Sequence, residues 1–274
     1  MRRMACLLAV AWAIMGASPP AWACGTDTDC LLGERTYRIA LPDGVENPGA
    51  LVYAHGYRGS AKGAMRNKAL IEFAHRNGMA LVAMKSFQDD WRIPGVPAEP
   101  GTDGAPELAY IDALLPELAS RHGIDTGNLV ATGFSAGGMF TWFLACNRGD
   151  SFRAFVPVAG TFWQPVPQTC PTYPVDLVHI HGTSDRIVPL SGRPIGPTHQ
   201  GDVGTAYERL MAVAGGEAHT GAAAQTFDDL SCQVSPTPSG RTVTMCLHPG
   251  GHSFKVQYLD AAFSILRAAG VHAP

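Results

Sequence analysis

The sequence predicts an α/β fold, a mostly parallel central sheet with helices on both faces, and three observations carry that prediction. Short apolar runs followed by helical patterns recur along the chain, and strand alternating with helix is the signature of a parallel sheet. The 31 glycines and 21 prolines imply many tight turns and shaped loops rather than long helices. No internal repeat, Ser/Gly linker or charge run marks a boundary, so one compact domain uses residues 24–274. With 46% hydrophobic residues in 274, the chain can bury a full core. Its 20 basic against 23 acidic residues leave no block of charge to track a phosphate backbone, so nucleic acid is not an expected partner.

Residues 1–23 stand apart from the fold. Arg2 and Arg3 precede an apolar run from Met4 to Ile14, and Ala21-Trp22-Ala23 offers a small-x-small cleavage site, the pattern of a secretory signal peptide. A bilayer span needs about 20 apolar residues, and Ser18, Pro19 and Pro20 end the run too early. No later stretch is long enough to span a membrane. Cleavage after Ala23 leaves Cys24 first and raises a lipoprotein alternative, which Ala21 and Trp22 fit poorly. The expected destination is the periplasm or the extracellular space.

Along the remaining chain the first strand is Ala50 to Ala54, followed by a helix from Ala64 to Arg76. Met79 to Met84 is the next strand. The helix from Pro106 to Arg121 begins on a proline, stops at Gly123, and repeats Leu108, Ile111, Leu115 and Leu118 as a stripe to pack on the sheet. The strand Leu129 to Thr132 runs into a helix from Ala136 to Cys146. Further strands are expected at Ala154 to Val158, Val175 to Ile180 and Thr242 to Leu247, with helices at Thr205 to Ala214 and Val256 to Ala268. Two segments, Ser86 to Gly104 and Thr161 to Pro174, resist assignment. Both follow strand ends, where open parallel sheets bind ligands, so Trp91 and Trp163 within them are candidate substrate contacts.

Six cysteines follow the leader: Cys24, Cys30, Cys146, Cys170, Cys232 and Cys246. An even number in an oxidising compartment implies three disulfides. Fifteen connectivities are open; proximity favours Cys24 with Cys30, Cys146 with Cys170, and Cys232 with Cys246. No pair has C-x-x-C spacing, which weakens zinc and redox readings.

The chemistry concentrates at Gly133-Phe134-Ser135-Ala136-Gly137-Gly138, between an apolar run and a helical stretch. A G-x-S-x-G pentapeptide in that position forms a nucleophile elbow, whose sharp turn needs small residues beside the serine. A serine hydroxyl needs a base, which histidine supplies, and the base needs an orienting carboxylate. The chain order after an elbow is Ser, then Asp or Glu, then His. His181-Gly182-Thr183-Ser184-Asp185 puts Asp185 just past a strand end, and Pro249-Gly250-Gly251-His252-Ser253-Phe254 puts His252 on a Gly-rich loop. Ser135, Asp185 and His252 are therefore the expected triad. The oxyanion needs two donors, expected from the backbone of Ala136 and of Tyr57 in His55-Gly56-Tyr57 after the first strand.

The HG pair, GFSAGGM, PVAG, HIHGTSDRIVP and GGHSF together resemble the polyhydroxybutyrate depolymerase and feruloyl esterase branch of the α/β-hydrolases, over nearly all of the chain after the leader. The resemblance implies a serine esterase with no cofactor. Its substrates would be hydroxyalkanoate esters or oligomers, or feruloyl and acetyl esters of plant polysaccharide. Tyr57 stands where the family often has a cysteine and Phe254 where it often has a tryptophan, both beside the acyl pocket, so Phe254 joins the substrate-contact candidates. No residues remain for an added polymer-binding module.

His179 and His181 share a strand face near Asp185 and could hold a metal, but they lack an HxHxDH arrangement. His248 competes with His252 but sits at a strand end. Asp89 and Asp90 precede the nucleophile and break the chain order. His75, His122 and His199 read as surface or loop residues, and Trp142 as core. A serine amidase or peptidase, a metal-dependent periplasmic hydrolase and a binding protein that has lost activity are the alternatives.

Overall fold

The computed structural model describes residues 24–172, 174–217 and 221–271; the leader expected at 1–23 lies outside them. In chain order the elements are β1 (Cys30–Leu32), β2 (Arg35–Ala40), β3 (Gly49–Ala54), α1 (Ala61–Met65), α2 (Lys68–Arg76), β4 (Met79–Met84), α3 (Ala105–His122) and β5 (Leu129–Phe134). There follow α4 (Ala136–Asn147), β6 (Ala154–Val158), β7 (Leu177–Gly182), β8 (Pro194–Ile195), β9 (Thr198–His199), α5 (Val203–Val213), β10 (Ala223–Phe227), β11 (Leu230–Pro236), β12 (Thr242–His248) and α6 (Val256–Ala268).

A ten-stranded sheet runs in the order β1-β2-β4-β3-β5-β6-β7-β12-β11-β10. Strands β4, β3, β5, β6, β7 and β12 are mutually parallel, and β1, β2, β10 and β11 extend both edges antiparallel. The period of two along β3 divides the molecule: Ala50, Val52 and Ala54 face one core, while Leu51 and Tyr53 face the other. Helices α3, α4 and α5 close the first core with Ile111, Phe140, Trp142 and Leu210. Helices α1, α2 and α6 close the second with Leu70, Phe73 and Leu259. Burial on both faces explains why the central strands are continuous apolar runs. This is the α/β-hydrolase architecture expected from the sequence.

The differences have physical causes. The added edge strands carry no clear sequence signal, because their side chains mix polar and apolar types. Arg35 and Arg38 of β2 point to carboxylates, Glu107 at 2.8 Å and Asp29 respectively, and β10 is largely solvent-facing. The helix expected over Ala64–Arg76 is broken in two, because the Asn67 side chain accepts from the Leu70 N–H and starts α2 afresh. In α3 the inward stripe is Glu107, Tyr110, Ile111, Leu114 and Leu118, not one containing Leu108 and Leu115, which are only partly buried. Its phase shifts because two polar residues earn inward positions: Glu107 pairs with Arg35, and the Tyr110 hydroxyl donates to the Thr36 carbonyl at 2.7 Å.

Three disulfides join the cysteine pairs that proximity favoured. Cys24 is thereby bonded to Cys30, which leaves it no thiol for a lipid thioether. Cys232 and Cys246 are register partners across β11 and β12. Cys146, at the end of α4, ties down Cys170 in the irregular segment after β6. Among the described residues no helix is long and apolar enough to cross a membrane.

Closing a loop of 24 residues restricts the unfolded chain, so the Cys146→Ala/Cys170→Ala double variant is expected to lose about 2–4 kcal/mol of stability. Denaturant titration checks this, and an unchanged midpoint would remove that disulfide from the account of loop order.

Candidate active site

The site is built at the carboxyl ends of neighbouring parallel strands. At the end of β5 the backbone turns abruptly and Ser135 takes φ 59°, ψ −119°, a conformation that costs a non-glycine residue of order 1–3 kcal/mol. Its surroundings hold it there. The Ser135 N–H donates to the Val158 carbonyl at 3.0 Å, and the Ser135 carbonyl accepts from Met139 N–H at 2.9 Å as α4 begins. A Cβ at Gly137 would collide with the Ala54 carbonyl, and one at Gly133 with the Gly137 carbonyl, so only glycine lets β3, β5 and α4 approach this closely. The strain lifts the serine out of the strand while the N-terminus of α4 points its amides into the same space.

Asp185 follows the end of β7. Its side chain is fully buried, and Oδ2 accepts from His252 Nδ1 at 2.7 Å. Oδ1 accepts from the Ile187 and Val188 amides at 2.8 and 2.9 Å. Burial alone would raise its pKa, but the hydrogen bonds from His252, Val188 and Ile187 outweigh burial and hold the carboxyl below the ordinary range. An ionised carboxylate at Nδ1 fixes the His252 proton there and leaves Nε2 as the free base. The His252 ring lies 4.7 Å from that of Phe134, the residue before Ser135, which sets the imidazole beside the elbow.

The loop after β3 carries Tyr57, the residue expected to give the second oxyanion donor, and His55 shapes it. His55 is buried, its Nδ1 donates to the Gly56 carbonyl at 2.8 Å, and its Nε2 accepts from the Ser86 N–H at 3.2 Å. One nitrogen donates and the other accepts, so the ring is neutral, and burial pushes its pKa down to about 4. Gly59 N–H donates to the same Gly56 carbonyl at 2.8 Å. In a trans peptide the next N–H points opposite to that carbonyl, so gripping Gly56 from one side turns the Tyr57 amide to the other. Among the described residues neither the Tyr57 nor the Ala136 amide has an acceptor. Gly56 adjoins Ser135, since a Cβ there would meet the Ser135 Cβ at 3.4 Å.

The remaining candidates divide. Trp91 is 1% exposed, its ring stacks on Phe140 with centroids 4.4 Å apart, and its Nε1 donates to the His55 carbonyl at 2.8 Å. It packs beneath the His55–Gly56–Tyr57 turn and also lines the cleft beside Tyr57. Trp163 is 8% exposed and lines a small hollow of about 160 Å³ with Ile93, Phe143 and Phe162. Phe254 is partly buried between Tyr53 and Phe134, with ring centroids 5.7 and 6.0 Å away, flanking the residue that His252 packs on.

The rivals have other partners. His248 Nδ1 accepts from the Gly250 N–H at 3.1 Å and its ring stacks on Tyr258, which shapes the loop that presents His252. Asp89 pairs with Arg58 at 3.5 Å. Asp90 accepts from the Trp91 N–H, and burial lifts its pKa to about 6. His122 is not a free surface residue: it is part-buried with Nε2 2.8 Å from the Tyr37 hydroxyl. His75 and His199 are likewise partly buried, each against a backbone carbonyl. His179 and His181 have every ring nitrogen engaged within the protein. Among the described residues the one grouping of three possible metal ligands is Cys24, Cys30 and His122, and two of its sulfurs form a disulfide. His55 was legible only as half of the HG pair; its role needs the Ser86 and Gly56 contacts, which sequence spacing does not reveal.

No protein-family model matches the chain. It is 29% identical over 245 residues to the protein named "Putative esterase NocK" of Nocardia uniformis, covering 80% of this chain and 70% of the relative. It is 28% identical over 166 residues to feruloyl esterase C of Emericella nidulans, covering 58% of this chain and 57% of the relative, so it spans little more than half the length of that enzyme. In structure it superposes on acetyl xylan esterase from Aspergillus awamori with a TM-score of 0.63 at 13% identity, covering 87% of this chain and 95% of the other. The fold is that of the α/β-hydrolases, and the relatives by sequence are esterases.

Five histidines, His55, His122, His179, His181 and His248, are held below their ordinary pKa, chiefly by burial. Below about pH 6.5 the unfolded chain binds protons that the folded chain refuses, so stability is full above that pH and declines as pH falls. For His55 the shift to about 4 corresponds to about 3 kcal/mol lost between pH 6.5 and 4. Urea titrations across that window test it: stability should drop with acid, and His55→Asn should flatten the slope, whereas a pH-independent midpoint contradicts the neutral assignment.

Proposed function

We infer that this α/β-hydrolase, a carboxylic ester hydrolase, works through an acyl-enzyme on Ser135, and that it acts as a secreted enzyme on feruloyl or acetyl esters of plant polysaccharide. The observation that carries the mechanism is the 2.7 Å bond from His252 Nδ1 to the buried Asp185 carboxylate beside a serine held in the strained elbow conformation.

Ser135 Oγ attacks the ester carbonyl carbon while His252 Nε2 takes its proton, and the carbonyl oxygen becomes an oxyanion held by the Tyr57 and Ala136 amides. The tetrahedral intermediate collapses with cleavage of the bond to the alcohol, which leaves with the proton from His252. Water then attacks the acyl-enzyme with the same histidine as base, and the acid departs as Ser135 regains its proton. Asp185 stays ionised throughout, orienting the imidazole and stabilising its cation.

The substrate class rests on feruloyl esterase C among the relatives and on the ground beside Tyr57. A cleft of about 270 Å³ adjoins the oxyanion loop, lined among others by Tyr57, Phe87, Gln88, Trp91, Arg92 and Glu99. Tyr57 and Phe87 are 56% and 38% exposed, so an aromatic or sugar ring has faces to lie against. Hydroxyalkanoate esters are the second substrate class that the sequence motifs imply. The basic, apolar leader at 1–23 and the three disulfides support secretion.

The test is a rate panel for wild type and Ser135→Ala on p-nitrophenyl acetate, methyl ferulate, acetylated xylan and hydroxybutyrate oligomers. Wild type should turn over methyl ferulate or acetylated xylan fastest, and Ser135→Ala should lose about 10³-fold or more. Retained activity in the serine variant would sink the mechanism, and a preference for hydroxybutyrate oligomers would replace the substrate class.

A further inference from the structure

Beside Asp185, near the same carboxylate oxygen that His252 engages, lie two fully buried histidines that the reaction does not use. His181 Nε2 sits 2.7 Å from the Val188 carbonyl and 3.6 Å from Asp185 Oδ2. His179 Nε2 sits 2.9 Å from His181 Nδ1. The indole Nε1 of Trp142, on α4, lies 3.2 Å from His179 Nδ1.

One set of protons satisfies the Val188 carbonyl, the contact between the two rings and the indole, and leaves only the Pro157 carbonyl, 3.1 Å from His179 Nδ1, without a donor from this chain of rings. A carbonyl only accepts, so His181 carries its hydrogen on Nε2 and leaves a lone pair on Nδ1. His179 must then donate from Nε2, which leaves its own Nδ1 to accept from the indole N–H, a group that only donates. Burial pushes both imidazoles below the ordinary histidine range, in keeping with neutral rings. A competing state exists, because the Pro157 carbonyl also lies 3.1 Å from His179 Nδ1. With its proton on Nδ1, His179 would bond to Pro157. The Trp142 donor would then be orphaned, and lone pairs on His179 Nε2 and His181 Nδ1 would meet at 2.9 Å. The Val188 carbonyl thus fixes the tautomer of His181, and the indole together with the His181 lone pair favours Nε2–H at His179.

The far end of this chain grips the acid loop. Val188 gives its N–H to Asp185 Oδ1 and its carbonyl to His181, so the residue is held from both sides. The near end is on the helix that starts at Ala136, directly after the nucleophile. We propose that Trp142, His179 and His181 form a tautomer-locked relay from the nucleophile helix to the acid loop, in which His181 is the positioning residue that keeps Asp185 aimed at His252. The proposal rests on the serine mechanism inferred above. His181 touches no reacting atom, so its contribution falls on kcat rather than on substrate affinity.

The experiment combines steady-state kinetics on a p-nitrophenyl ester with ¹⁵N-imidazole NMR, using wild type, Ser135→Ala, His181→Phe, His181→Gln and Trp142→Phe. Wild type should show His179 and His181 as Nε2–H tautomers. His181→Phe keeps the ring volume and orphans the Val188 carbonyl; kcat should fall about tenfold or more with KM within about twofold. His181→Gln can donate to Val188 and accept from His179, and should recover kcat to within about threefold. Trp142→Phe should move His179 to the Nδ1–H tautomer and lower kcat. A folded His181→Phe with wild-type kcat overturns the proposal, as does an Nδ1–H tautomer at His179 in wild type. If His181→Phe does not fold, unchanged kcat and tautomers in Trp142→Phe overturn it instead. Ester hydrolysis persisting in Ser135→Ala would defeat the serine mechanism alone, because the tautomer spectra test the relay independently of turnover.

Discussion

A buried, ionised carboxylate is the constraint that organises this molecule's site. Removing Asp185 from water is costly unless every lone pair is met by a donor, and the structure meets the cost with His252 on one oxygen and two backbone amides on the other. Those donors come from a loop whose shape depends on β7 and β12 lying side by side and parallel, so the sheet's register is in effect part of the site. Gly182 shows how little slack remains: a Cβ there would strike the Gly250 and Gly251 carbonyls, the loop that delivers His252.

A second constraint acts at the elbow. The Ser135 backbone holds a conformation that an isolated peptide would abandon, and it persists because Gly133 and Gly137 allow β3, β5 and α4 to close around it. The same closeness lets the His55–Gly56–Tyr57 turn lean on Ser135. That turn is braced in its own right by Ser86, by Trp91 and, through Arg58 N–H, by the Asp89 carbonyl. The irregular segment after β4, which looks unstructured as sequence, is thus the buttress of the His55–Gly56–Tyr57 turn. Glu107 anchors it by accepting from the Arg92 N–H while paired with Arg35.

What was legible in the sequence follows from how each feature is encoded. The central strands and the Ser, Asp, His order are local patterns, and residues 133–138, 181–185 and 249–254 each carry their own signal. The cysteine pairs were legible because each partner is the nearest one along the chain. The edge strands, the phase of α3 and the role of Trp91 were not, because each depends on a partner distant in sequence: Arg35 with Glu107, Tyr110 with Thr36, Trp91 with His55. A polar residue turned inward looks outward until its partner is known. The proton arrangement of His179 and His181 is the extreme case, since it is set by the Val188 carbonyl and by an indole on another element.

The most direct test of the account's centre is covalent. Incubation with a fluorophosphonate ester followed by intact mass and peptide mapping should show one adduct, on Ser135. Its rate should fall steeply in His252→Ala and in Asp185→Asn, because the hydroxyl reacts only when the buried carboxylate aims the imidazole at it. An adduct on another residue, or ester hydrolysis that continues undiminished once Ser135 is capped, would contradict the assignment of this triad as the machine that the fold is built to hold.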